Sequence, residues 1–286
     1  MKKYILLVVL ITSYLNSFSQ DLEDILNDET EETTIITSAT FKGTRILNGH
    51  SVETRKKGDF EFLISHRFGR VNTGISELFG LDNSNIRFGF EYAISDNLTV
   101  AFGRSSFEKT YDSYLKYKLI KQKEGKNPFP FSLVYFGSVT AKTIKDYDPN
   151  KKPTFANRLT YTNQLLIAKK INANLSLQLT PTLIHFNTVD TLQDNHNIFA
   201  LGFGTRIKMN KRISFNAEYY LTFNPLESID ARNSLALGID IETGGHVFQI
   251  VLSNSRSMIE KGFITEGTGK FFKGDIHLGF NISRLF

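Results

Sequence analysis

Eleven polar residues stand in stretches where apolar and polar side chains alternate, and their chemistry frames the problem. Arg67, Arg87, Lys116, Lys118, Arg158 and Arg206 are basic, Glu91, Glu218 and Asp240 are acidic, and Gln164 and Gln178 are neutral. Facing water in a narrow passage, the bases would attract small polar or anionic solutes. Paired with the acids, they would close that passage instead. Other constellations are weaker. Asp146, Asp148 and Asn150 have the spacing of the start of a calcium loop, but Lys151 replaces the required Gly and Asn157 the bidentate Glu. A solvated loop explains them better. The six histidines share no metal-ligand spacing, so no metal site is expected. Ser65 and His66 are adjacent and point to opposite faces of a strand, so no catalytic residue is assigned. The absence of cysteine excludes a thiol nucleophile and Cys-ligated zinc or iron–sulfur centres. No cofactor is expected.

The elements that position these residues follow a period of two. Phe60, Phe62, Ile64, His66 and Phe68 alternate with Glu61, Ser65 and Arg67, and Ile86, Phe88, Phe90, Tyr92 and Ile94 with Arg87, Gly89, Glu91 and Ala93. Strict alternation is the strand signature. Twelve such runs lie near 59–68, 85–94, 98–106, 112–120, 129–139, 157–168, 174–186, 197–208, 212–223, 233–241, 245–253 and 275–286. Most are longer than the roughly 5–6 residues of globular strands and match the roughly 9–11 needed to cross a bilayer at a tilt. Connections alternate between short and long, except that 107–111 and 121–128 reverse the order. That pattern, with an even strand count, predicts an all-β fold: a transmembrane antiparallel up-and-down barrel of about twelve strands, with lipid as its outer partner and both termini periplasmic. A base facing lipid at mid-bilayer costs roughly 2–4 kcal/mol, so the eleven polar residues must face inward. Phe68, Tyr92, Phe129, Tyr161 and Phe223 lie near strand ends, where interfacial girdles form; with no Trp, Tyr and Phe must serve.

Residues 1–19 read as a secretory signal: Lys2 and Lys3, an apolar run from Tyr4 to Ile11, then Ser17-Phe18-Ser19 with cleavage before Gln20. The apolar run is too short to span a bilayer as a helix. Residues 20–58 form an acidic tail and an N-terminal hairpin or plug segment, and 59–286 the barrel. Residues 21–32 hold seven acids and no base, while the whole chain carries +5, so the remainder is strongly basic. The acidic run reads as a solvated tail. A nucleic-acid partner is not expected, because the protein is exported and its bases are scattered along the sequence. Ala39–Glu53 is too short and too polar at Asn48-Gly49-His50-Ser51 to be another membrane strand, and Asn-Gly marks a tight turn. Phe41, Ile46, Leu47 and Val52 give it apolar anchors for contact with the barrel, as a hairpin, a plug, or a linker ordered against the barrel base.

The last alternating run ends at Phe286, which resembles the terminal signal read by the barrel-assembly machinery of Gram-negative outer membranes, although Arg284 replaces the usual apolar residue. Four further stretches are distinctive: Phe41-Lys42-Gly43-Thr44-Arg45-Ile46-Leu47-Asn48-Gly49-His50-Ser51-Val52-Glu53 and Ile64-Ser65-His66-Arg67-Phe68-Gly69, then Gly80-Leu81-Asp82-Asn83-Ser84-Asn85-Ile86-Arg87 and Tyr111-Asp112-Ser113-Tyr114-Leu115-Lys116-Tyr117. In these, and across most of the mature chain, the sequence resembles an uncharacterised outer-membrane barrel family of Bacteroidota, a family of unknown function. The resemblance implies location and architecture and no activity. Three functions remain: a narrow channel for small polar or anionic solutes, a non-conducting scaffold for a periplasmic or surface protein partner, and, as an outsider, an embedded lipid hydrolase.

Overall fold

The computed structural model describes residues 33–144 and 154–286. The signal-like segment 1–19, the acidic run 21–32, and Asp146, Asp148, Asn150 and Lys151 lie outside the described residues. Twelve strands close one antiparallel barrel. In chain order the strands are β1 (Thr34–Ile36), β2 (Phe60–Arg70), β3 (Ser84–Ser95), β4 (Leu98–Ser105), β5 (Thr110–Ile120), β6 (Lys123–Gly125) and β7 (Ser132–Lys142). There follow β8 (Leu159–Lys170), β9 (Leu175–Phe186), β10 (Asn197–Lys208), β11 (Ile213–Thr222), β12 (Ser234–Thr243), β13 (His246–Ser253) and β14 (His277–Leu285). Each barrel strand pairs with the next, and β14 returns to β2, where Phe60 and Phe286 exchange backbone bonds of 3.3 and 2.8 Å. Closure leaves no edge strand unpaired in the wall. β1 and β6 form a separate two-stranded ribbon.

Alternation places the side chains. Along β3 and β5 exposed and buried residues take turns, so that Phe88, Phe90, Tyr92, Leu115 and Tyr117 face outward, and Arg87, Glu91, Tyr114 and Lys116 face in. The outer wall is apolar and rich in Phe and Leu, as lipid contact requires. One end of the barrel carries short links, such as Asp96-Asn97 and the Gly244-Gly245 turn, whose φ angles of +47° and +120° demand glycine. The other end carries the long loops.

Three strand starts fall two or three residues later than in the sequence reading, each for a local reason. The run expected from 129 begins at Ser132, because Phe129 bonds back to Lys123 and Pro130 has no amide to give a ladder. The run expected from 157 begins at Leu159, because Ala156–Arg158 form a 3-10 turn. The run expected from 275 begins at His277, where Ile276 closes a turn on Gly274. The long link at the short-turn end, which broke the expected order, is the segment that supplies β6 and pairs with β1.

Candidate functional site

The lumen is filled from both ends. From the short-turn end, residues 40–52 enter as a hairpin, with Ile46 N–H on Gly49 O at 2.8 Å and Ser51 N–H on Thr44 O at 3.0 Å. So small a hairpin satisfies few of its own carbonyls, and buried backbone groups must find partners. The wall supplies them. Arg206 donates to the Ala39 and Thr40 carbonyls at 3.1 and 3.2 Å, and Lys116 to those of Thr44 and Glu53 at 3.2 and 2.5 Å. Gln249, Asn281 and Gln178 donate to the carbonyls of Ile46, Leu47 and His50, each at 2.8 Å. At the tip, the Glu218 carboxylate accepts the amides of Asn48 at 2.8 Å and Gly49 at 3.1 Å, while Arg67 donates to the Asn48 side-chain oxygen at 2.7 Å. Gly49 is required there, because a β-carbon would run into the Tyr220 hydroxyl.

Apolar contacts complete the seat. Phe41, Ile46, Leu47 and Val52 are buried in one cluster with Val134, Phe136, Leu166 and Val251. Each such side chain contributes roughly 1.5–3 kcal/mol. His50 sits between the Tyr114 and Phe136 rings, at 4.5 and 4.3 Å between centroids.

From the long-loop end, residues 254–269 fold inward and form a one-and-a-half-turn helix, α1 (Glu260–Thr265), all of it buried. Phe263 and Ile264 pack on Ile184, Ile198 and Tyr220. Lys261 holds the helix in place between Glu266 at 2.6 Å and Glu108 at 3.2 Å, and Lys142 pairs with Glu108 at 2.5 Å. Burial alone would lower the Lys261 pKa, but Glu266 and Glu108 outweigh it and raise it. The two plugs meet: Glu260 lies 3.6 Å from Arg45 and 3.5 Å from His50. Clefts of about 400 and 360 Å³ remain at the long-loop mouth, on either side of this inserted loop.

Six residues singled out from the sequence thus converge on the hairpin: Arg67, Glu91, Lys116, Gln178, Arg206 and Glu218. Glu91 does so by accepting from Thr44 at 3.1 Å, and it also accepts from the Tyr114 hydroxyl of the wall. Three others stay within the wall. Arg87 pairs with Asp112 at 2.5 Å, both fully buried. Gln164 donates to Thr182 at 3.1 Å, and Asp240 accepts from Gln249 at 2.8 Å. Lys118 is half-buried at the short-turn end. Arg158 lies outside the strands, in the 3-10 turn at the long-loop rim, where it donates to the Lys142 and Ile144 carbonyls. Ser65 is buried inside, whereas His66 faces outward, stacked on Phe280 at 4.9 Å. The sequence reading missed Asp112 and Tyr114, although both share the parity of Lys116. It also missed Glu260, for which no periodic signal exists in a long loop. Among the described residues no group of three or more His, Asp or Glu is placed to hold a metal ion.

The long loops are tied to one another by Asp194, whose carboxylate accepts the amides of Glu227 and Ser228 at 2.7 and 3.0 Å and the Thr191 hydroxyl at 3.0 Å. Desolvation raises its pKa, but the Ser228 and Thr191 hydrogen bonds overcome this and bring it down to about 2. A lowered carboxylate contributes stability above its unfolded pKa and loses it as pH falls through the folded value. The clasp between loops 187–196 and 223–233 should therefore persist at pH 4 and release only as pH approaches about 2. Limited proteolysis of these loops against pH checks this; cleavage already rising near pH 5 would contradict it.

Comparison with known proteins places the fold. The family described as "Membrane bound beta barrel domain (DUF5777)" matches residues 41–286, hairpin and barrel together. No curated protein matches the sequence. Among solved structures, the NanC porin is 8% identical, with 79% of this chain and 98% of that chain covered at a TM-score of 0.49. An outer membrane channel from Pseudomonas putida F1 is 14% identical, with 82% and 97% covered at 0.48. The translocator domain of the autotransporter NalP from Neisseria meningitidis is 12% identical, with 82% and 91% covered at 0.39. The match over hairpin and wall, together with the closed twelve-strand barrel, means that the chain belongs to the membrane bound beta barrel domain family, DUF5777.

Proposed function

We propose that the protein is an outer-membrane channel for small polar solutes that rests closed, with its short turns and both ends of the barrel domain on the periplasmic side. The observation that carries this reading is the polar seat of the hairpin. Its backbone is held by wall side chains that would otherwise face water, Arg67, Lys116, Arg206 and Glu218 among them. The hydrogen bonds of the seat can be exchanged for water at modest cost, since water re-satisfies each exposed group, so the main barrier to withdrawal is the burial of Phe41, Ile46, Leu47 and Val52. With the hairpin out, the wall presents both signs of charge side by side, so the passage would favour polar solutes without strong preference for anions.

Planar-bilayer recordings test the proposal. The intact chain should be nearly silent, and deletion of residues 20–58 together with shortening of the inserted loop 254–269, which fills the lumen from the other end, should give resolvable single-channel currents. A folded deletion variant that stays silent would remove the channel reading. It would favour the second reading, a non-conducting scaffold, for which the sealing contact of Arg45 and His50 with Glu260 argues.

A further inference from the structure

The outer wall is not evenly covered. Across β9, β10 and β11 the lipid-facing residues Leu177, Thr205 and Ala217 stand side by side in one row, and Phe203 and Tyr219 oppose each other in the next. Cross-strand neighbours cover one another only as far as their side chains reach. Thr205 and Ala217 are short, so their row sinks below its neighbours and a groove of about 580 Å³ opens there, completed by Phe131 from the short-turn end. Ligand sites have volumes of roughly 300–1,000 Å³. The Thr205 hydroxyl donates to the Ser176 carbonyl at 3.3 Å, so the floor asks nothing polar of an occupant.

The rim of the groove is charged with one sign. Lys169 extends the row beside Leu177, lines the groove, and has no carboxylate within ion-pair distance among the described residues. It shares the outward parity of Leu165 and Ile167 near the end of β8, where a lysine keeps its amine at the lipid–water boundary. Of the two links directly below, 171–174 carries no charge and 209–212 carries Lys211 and Arg212, both exposed. The link 121–131, which brings in Phe131, carries Lys121, Lys123 and Lys126 against a single acid, Glu124. At the foot of β12, Glu242 is taken by Lys42. The depth suits a lipid too: Leu177 and Thr205 stand two and three residues from their strand ends, within about 10 Å of the turns.

We propose that the groove is a binding site for one phospholipid with an anionic headgroup, its acyl chain on Thr205 and Ala217 and its phosphate on Lys169. Lipid exchanges freely along a smooth wall, whereas here a hollow and a base act on one molecule together. A second copy of the chain suits the groove less well. A two-fold contact sets a patch against itself, so two hollows would face each other over a void, with like charges brought together. The site does not depend on whether the lumen conducts.

Native mass spectrometry of the full chain, released from an uncharged detergent containing phosphatidylglycerol or phosphatidylcholine, reads the site. One phosphatidylglycerol should stay on the barrel after the detergent is stripped, with phosphatidylcholine retained about fivefold less. Ala217→Phe, which fills the groove, should reduce the retained phosphatidylglycerol by at least about tenfold. Leu252→Phe, on β13 of the same outer wall, should leave it unchanged. Lys169→Gln should bring phosphatidylglycerol down to the level of phosphatidylcholine. This exposed substitution decides the matter should Ala217→Phe fail to fold, which heat-modifiable gel migration reports. Retention that climbs with lipid concentration without settling at one molecule would overturn the proposal, as would equal retention by the parent, Ala217→Phe and Lys169→Gln. So would a dimer that Ala217→Phe dissociates, which would assign the groove to a second copy.

Discussion

Gly49→Leu should unseat the hairpin while leaving the wall of the barrel intact. The tip of the hairpin fits only because residue 49 has no side chain: the Tyr220 hydroxyl occupies the space where a β-carbon would stand. Tyr220 cannot easily yield, since it is buried against Phe263 at 5.1 Å and its ring lies over Gly202. A leucine there must lift the tip, and the Asn48 and Gly49 amides then leave Glu218. Two hydrogen bonds to a buried carboxylate are worth about 3–6 kcal/mol together, enough to shift the seated-to-unseated ratio by about a hundredfold or more. Protease added to the folded barrel should cleave the hairpin faster by a comparable factor, with sheet circular dichroism and heat-modifiable migration unchanged. Gly49→Ala should give a milder version that Tyr220→Phe relieves by removing the obstructing oxygen. A folded Gly49→Leu barrel whose hairpin is as protected as the parent's would mean that the tip does not depend on the missing side chain.

The largest loss of stability should follow from Asp112→Ala. Asp112 and Arg87 are side by side within the wall, bidentate at 2.9 and 2.5 Å, with almost no solvent contact. Gly89 and Gly103 leave the room that the guanidinium occupies. Removing the carboxylate strands a buried charge, which costs about 3–5 kcal/mol. The double variant Arg87→Met with Asp112→Leu should recover most of that loss, because an apolar pair of similar volume avoids desolvating either ion. Urea unfolding from lipid vesicles measures both. A loss of under about 1 kcal/mol in Asp112→Ala would show that water reaches the pair and that the sealed interior is wetter than the packing implies.

The wall was legible from sequence because its rule is local. A period of two assigns each residue to a face without knowledge of its partners, and Arg67, Glu91, Lys116 and Glu218 all fall inside as that rule requires. What the inward residues touch was not legible. A wall that faces water and a wall that faces an inserted hairpin need the same polar side chains, and the bond from Arg206 to Ala39 spans 167 residues. Tyr220 was not singled out either: its parity with Glu218 sets it inside, but an aromatic residue there carries no signal of the hairpin it meets. Arg158 fails as a strand residue because strand boundaries depend on turn geometry, which alternation does not encode.

The seam between β2 and β14 has a consequence for assembly. It joins Phe60 to Phe286, so the ring cannot close until almost the whole wall has been made. Contacts of such high sequence separation are entropically expensive and form late. Until then Glu218, Arg67 and the other inward groups line an open sheet. The hairpin precedes the first wall strand in the chain, so it is already present while that sheet curls. It offers the curling sheet an internal form to wrap, and the order of synthesis thereby favours a barrel that is born full.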